Sequence, residues 1–163
     1  MIQKTCVVLV VLCSLAMLSG ATQGQVFDFP IDGTQEVPLN ASTGTGTGAV
    51  TLAGTNLSWN ISWSGLGPLS GMHFHGNALP GSNAGVQVNI GSISGVTSPS
   101  IGNTTISASQ AADIQAGLWY VNLHTSMFPG GEIRGQVVPE PLTLSLLGLG
   151  SAVLIRRRQR RNR

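Results

Sequence analysis

From Leu57 to Ser64 the chain alternates without a break, Leu57, Trp59, Ile61 and Trp63 being interleaved by Ser58, Asn60, Ser62 and Ser64. A period of two places every second side chain on one side of an extended chain, whereas a helix would scatter the same apolar groups around its axis. The strand is read as Asn56–Trp63, with one face towards a core and the other towards water. The same period returns at Val26–Ile31, Gly48–Ala53, Gly71–Gly76, Gly85–Ile90, Asn103–Ser107, Leu118–His124 and Glu132–Val138, cut each time by Gly, Asn, Ser or Pro. Only Ser109–Ala116 has a helical pattern, two turns long. The run Thr43-Gly-Thr-Gly-Thr-Gly48, with Gly33 and Gly54, reads as turns and an irregular early strand; it lacks the Lys and the strand–loop–helix setting of a phosphate loop. The fold class is all-β, a two-sheet β-sandwich or flattened barrel, with Trp59, Ile61, Trp63, Phe74, Trp119 and Val121 expected inside.

The two ends read as addresses rather than as parts of that domain. Residues 1–21 carry Lys4, an apolar run from Cys6 to Leu18, and then Ser19-Gly20-Ala21. Small residues at Ser19 and Ala21 suit signal peptidase, so 1–21 reads as a signal peptide; the alternative is an uncleaved anchor, although the apolar run is shorter than the ~20 residues of a span. Residues 139–163 open on Pro139-Glu140-Pro141, continue through a mostly apolar stretch from Leu142 to Ile155, and end in an arginine cluster. As a helix rising ~1.5 Å per residue that stretch is about 21 Å long, a thin transmembrane helix. The arginines orient it with its C-terminus inside and the domain outside. Together these features resemble the PEP-CTERM sorting signal of Gram-negative bacteria. The resemblance implies recognition by an exosortase, cleavage near Pro139-Glu140-Pro141, and passage from the inner membrane to the cell surface or an extracellular polysaccharide matrix. A passive tail anchor is the alternative.

The net charge of +2 belongs to those ends, because six of the seven arginines lie between Arg156 and Arg163 and the single lysine is Lys4. The domain between them, residues 22–138, holds Arg134 against Asp28, Asp32, Glu36, Asp113 and Glu132, a net −4 with histidines neutral. No basic footprint remains for nucleic acid, which is excluded as a partner. Both cysteines, Cys6 and Cys13, fall in the expected signal peptide, so the domain has no thiol for a disulfide, a metal or a nucleophile.

Chemistry-bearing side chains are few. His73 and His75 alternate with Met72 and Phe74, and His124 shares a strand face with Asn122 and Tyr120, opposite Trp119, Val121 and Leu123. All three imidazoles thus lie on faces turned away from the core. If the two strands are neighbours, His73, His75 and His124 converge into one polar cluster, a three-nitrogen ligand set suited to Cu or Zn with an open position. Asn122, Tyr120 and Glu36 are the available supports for such a site. The alternative is a structural role, with the imidazoles bonded to backbone or to one another. Glu36, Glu132 and Arg134 form a second group, expected as a structural ion pair rather than a catalytic one; no catalytic residue is assigned.

Three segments carry a family resemblance: Gln35-Glu36-Val37-Pro38, Met72-His73-Phe74-His75-Gly76, and Tyr120-Val121-Asn122-Leu123-His124-Thr125 running on to Phe128-Pro129-Gly130-Gly131-Glu132-Ile133-Arg134-Gly135-Gln136. They resemble the CHRD (chordin-type) domain over roughly Val26 to Val138. The resemblance implies an immunoglobulin-like or barrel-like β-sandwich and brings no activity with it. The His-x-His followed by a later His is also similar to Cu/Zn superoxide dismutase, but the further zinc ligands and the disulfide of that enzyme are missing. Two function classes follow: a non-enzymatic binding or structural domain, surface- or matrix-associated, whose partners would be extracellular polysaccharide or surface proteins; or a copper- or zinc-binding domain, with or without redox turnover at the three histidines.

Overall fold

The computed structural model describes residues 24–139. The expected signal peptide with Ser19 and Ala21, and the expected sorting segment from Glu140 and Pro141 onward, lie outside the described residues. No helix among the described residues is long and apolar enough to cross a membrane.

The alternating stretches become β1 (Gln25–Asp32), β2 (Thr45–Ala53), β3 (Asn56–Ser64), β4 (Leu69–Gly76), β5 (Val86–Asn89), β6 (Ser100–Thr105), β7 (Trp119–Thr125) and β8 (Ile133–Val137). Among the described residues they form one eight-stranded sheet in the order β5-β4-β7-β8-β1-β2-β3-β6, each neighbour antiparallel. The fold is all-β, as expected, and of the two arrangements expected it is the barrel-like one, a single sheet curled into a half-barrel rather than two sheets. Alternation tells which face of a strand is apolar; it does not tell which strands pair, and here β1 joins β8 so that both halves share one sheet. That joint is narrow: Asp32 opposite Arg134 is the one register pair between β1 and β8, and the Gln136 N–H is taken by the Gln35 side chain at 3.1 Å.

The concave face holds the core. Phe27, Phe29 and Ile31 from β1, Val50 and Leu52 from β2, Leu57, Trp59 and Ile61 from β3, Met72 and Phe74 from β4, and Trp119, Val121 and Leu123 from β7 are buried together. Each such side chain, fully withdrawn from water, contributes about 1.5–3 kcal/mol. The curl brings β3 and β4 face to face, with Trp59 edge-on to Phe74 at 5.8 Å between ring centroids. Trp63, expected inside, is only partly buried and packs on the rim of this cluster.

Two helices close the open side. The expected Ser109–Ala116 helix is α2 (Ala108–Gln115), started by a Ser107–Gln110 capping box. It stops where the N–H groups of Gly117 and Leu118 bond the carbonyls of Ile114 and Asp113, with Gly117 at φ +72°. α1 (Ile90–Ser94) was not expected: Ile90 leaves the strand read for Gly85–Ile90 and opens a helix capped by Asn89. It lies against both β4 and β6, bridging the gap between the sheet's two ends, and its Ser94 hydroxyl accepts the Trp59 indole N–H at 3.1 Å. The glycine run is likewise corrected, since Thr45 onward is regular strand paired on both sides. At Gly48 a Cβ would come within 2.4 Å of the Phe29 ring, so the glycine makes a seat for a core aromatic instead of a turn.

Candidate metal centre

The convex face divides into two regions. Over β2 and β3 it is solvated, with Asn60 exposed and Ser58 and Ser62 half-buried. Over β4, β7 and β8 it is covered by the segments 33–43, 77–85 and 126–132, which makes a second, polar interior. Register arranges its side chains in rows. His75 stands opposite Tyr120, and Tyr120 opposite Gln136; His73 stands opposite Asn122, and Asn122 opposite Arg134; Gly71 stands opposite His124.

His124 is therefore diagonal to His73 rather than directly across from it. The bare Gly71 leaves room for both rings, since a Cβ there would sit 3.1 Å from His73 Cε1 and 3.9 Å from His124 Cδ2. The ring centroids lie 5.0 Å apart for His73 and His124, 5.7 Å for His73 and His75, and 5.9 Å for His75 and His124. One ring nitrogen from each histidine falls within 4.8 Å of the other two. The cluster expected from alternation is thus present.

Backbone carbonyls hold two of these rings. His75 Nδ1 lies 3.0 Å from the Ala84 carbonyl oxygen, and His124 Nδ1 lies 3.1 Å from that of Pro129. A carbonyl oxygen only accepts, so in the neutral rings Nδ1 carries the hydrogen and Nε2 presents a lone pair. Both Nε2 atoms, and Nδ1 of His73, are buried without a hydrogen-bond partner in the protein. Burial lowers the pKa of all three histidines; the like charges of His124 and His75 push His73 further down, and those of His124 and Arg134 do so for His75. Near neutral pH the site thus offers uncharged imidazoles, the form that binds metal.

The residues expected to support the histidines act differently. Tyr120 stacks on His75, 5.0 Å between centroids and 8° from parallel, and its hydroxyl accepts the Ala84 N–H at 3.0 Å. Arg134 lies over the same tyrosine, its guanidinium carbon 3.4 Å from the ring centroid. Because β7 runs between β4 and β8, Tyr120 is gripped from both sides. Asn122 donates to Glu36 Oε2 at 3.3 Å. The carbonyls of Ala84 and Pro129 carry no side-chain signature, so the sequence could not point to them.

The expected ion pair of Glu36, Glu132 and Arg134 is corrected. Arg134 is buried, and its hydrogen bonds go to Asn83 Oδ1 and Gln136 Oε1. Its charge reaches Glu36 only at longer range, pulling that carboxyl's pKa down against the larger effect of burial. Glu132 faces elsewhere, accepting from Ser42 at 2.8 Å and from Thr125 Oγ1, so that it ties the 40–42 segment to β7.

The family model of the CHRD domain matches residues 27–137. The chain belongs to the CHRD domain family. That span begins in β1 and ends in β8, so the whole half-barrel and the histidine cluster are part of the CHRD domain. No curated protein and no solved structure matches the chain.

Proposed function

We propose that this CHRD domain binds one divalent transition-metal ion, zinc or copper, at His73, His75 and His124, and that it works outside the cell. The observation that carries the reading is the convergence of three unpartnered buried imidazole nitrogens. A buried polar nitrogen without a partner costs about 1–3 kcal/mol, and one cation would satisfy all three of these at once. An all-imidazole set favours Zn and Cu over Mg or Ca, which prefer oxygen. Three protein ligands leave a fourth position open, so redox turnover at copper remains the second reading, favoured by that open position alone. Metal analysis and titration of the purified protein with Zn2+ and Cu2+ test the site. One equivalent per chain, lost in His124→Ala, is expected; unchanged stoichiometry in that variant would remove the site.

Export rests on the sequence of the two ends. The signal-like residues 1–21 and the Pro139-Glu140-Pro141 segment with its arginine-rich end support signal peptidase and exosortase as processing partners. Destination at the cell surface or in an extracellular polysaccharide matrix follows from the same resemblance. Replacing Pro139-Glu140-Pro141 should stop processing and leave translocation intact, read by fractionation and intact mass. Normal release of the altered protein would show a passive anchor.

A further inference from the structure

Besides the three histidine nitrogens, two more buried acceptors lack a partner: Asn122 Oδ1 and Glu36 Oε1. They belong to residues already joined, since Asn122 Nδ2 donates to Glu36 Oε2. The unpartnered atoms are the remaining corners of two planar groups linked at one corner. With Glu36 ionised, both are acceptors and neither can satisfy the other. A proton on Oε1 would change this, because an O–H there can donate to Asn122 Oδ1 and complete a ring with the existing Asn122–Glu36 hydrogen bond. The surroundings act in the same direction: Glu36 is 4% exposed, and burial pushes its carboxyl up from the usual 4.5 to about 7 despite the nearby Arg134 charge and the Asn122 hydrogen bond.

We propose that Glu36 is a neutral carboxylic acid in the metal-free protein, ring-paired with Asn122, and that it releases this proton to solvent when the histidine site takes up a divalent cation. The exchange rests on the metal reading above. Of the charged groups, Arg134 acts on Glu36 directly; the other titratable groups on the neighbouring elements are Glu132 just before β8, Asp32 at the end of β1, Tyr120 and His124 on β7, and His73 and His75 on β4. Of the carboxylates, Asp32 is held by Thr34 and Gln35, and Glu132 by Ser42 and Thr125. Glu36 differs from both in hanging on Asn122, which is the cross-strand partner of His73 and lies two residues from His124 on the same strand face, so it is the carboxyl tied to the histidine rows. Without it, a divalent ion would add two positive charges to a covered face that already buries Arg134, and such charges repel strongly away from water. A cavity of about 500 Å³, lined in part by Gln35, Glu36, Pro38 and Arg134, gives the proton a route out. No electron moves and no covalent bond other than O–H breaks.

Infrared difference spectra of the metal-free full chain, recorded across a pH titration centred on about 7, test the acid form. A protonated-carboxyl carbonyl band is expected on the acid side of the titration, fading as pH rises and absent from Glu36→Gln. Carbon-13 labelling of the glutamate carboxyls assigns the band in the native chain even if the variant folds poorly. ZnCl2 is then added in weak buffer slightly below pH 7, with proton release counted. The native chain should release up to one proton more than Glu36→Gln. Absence of the band overturns the exchange and leaves the metal reading standing, and equal release by both chains does the same. No Zn2+ uptake by either chain would overturn both.

Discussion

The half-barrel has two halves of four strands that treat their outer faces in opposite ways. In β6-β3-β2-β1 the pattern is one-sided: apolar residues of β3 are buried and their neighbours Ser58, Asn60 and Ser62 meet water to varying degrees. In β8-β7-β4-β5 the central strands are covered on both sides, and every residue of β8 is buried, Arg134 and Gln136 included. Sheet stability needs only one buried face. The second half goes further and removes polar side chains from water, which costs free energy at every group left without a partner. The three histidine nitrogens that converge there are such groups, and the one-sided half has no counterpart to them among the described residues.

The largest effect expected from this contrast lies in the shared apolar core. Trp59→Ala should lose about 3–5 kcal/mol in denaturant unfolding, because its ring fills the space between β3, β4 and α1. Trp63→Ala, at the rim, should lose clearly less. Equal losses would mean that the core continues past β3 to the rim.

Metal comes next. Zn2+ at a hundredfold excess over its dissociation constant should stabilise the native protein by about 2.7 kcal/mol, seen as a shift in the unfolding midpoint, and should leave His75→Ala unmoved. An equal shift in both would place the ion elsewhere and return the polar interior to a structural role.

The acid response is smaller and is read as a slope. The histidines have folded pKa values below the usual 6.5, so the unfolded chain takes up protons that the buried rings refuse, and stability is withdrawn as pH falls from about 7 towards 5. Glu36 opposes them. Its folded value of about 7 lies above the ordinary 4.5, so its contribution is full below about 4.5 and is lost as pH rises to about 7. Glu36→Gln deletes the opposing contribution, and chemical denaturation should show a steeper loss of stability in acid than the native protein. An unchanged slope would mean that Glu36 is ionised across the whole range. Least of all, Asn60→Ala on the solvated half should change stability by no more than about 0.5 kcal/mol.

Much of this was legible because the period of two is a local property. Leu57, Trp59 and Ile61 announced the buried side of β3, and the spacing of His73, His75 and His124 placed all three on outer faces. Pairing is not local. Nothing in β1 or β8 read alone says that Asp32 meets Arg134, and so the sequence leaves both a two-sheet sandwich and a flattened barrel open. The five-residue α1 has no room to express a helical period, and Asn89 as its cap is one residue among many that favour turns. At the site, the ring-orienting groups of Ala84 and Pro129 are carbonyls that every residue owns. The ion pair of Glu36, Glu132 and Arg134 is expected from opposite charge and the strand face that Glu132 and Arg134 share, whereas the buried guanidinium meets neutral amides and a tyrosine face instead.

The narrow joint between β1 and β8 has a mechanical consequence. Along most antiparallel seams a pulling force is shared by several backbone hydrogen bonds, but between β1 and β8 themselves there is one register pair and a side-chain bond from Gln35 to the Gln136 N–H. The other ties, from Glu36, Asn40 and Ser42, are side-chain bonds of the covering segment. Gly135 lets the strands press close, its missing Cβ standing 2.6 Å from the Pro30 carbonyl oxygen, so contact rather than a bonded ladder holds the line. Under load the domain has a built-in parting line, with the solvated half on one side and the histidine-bearing half on the other.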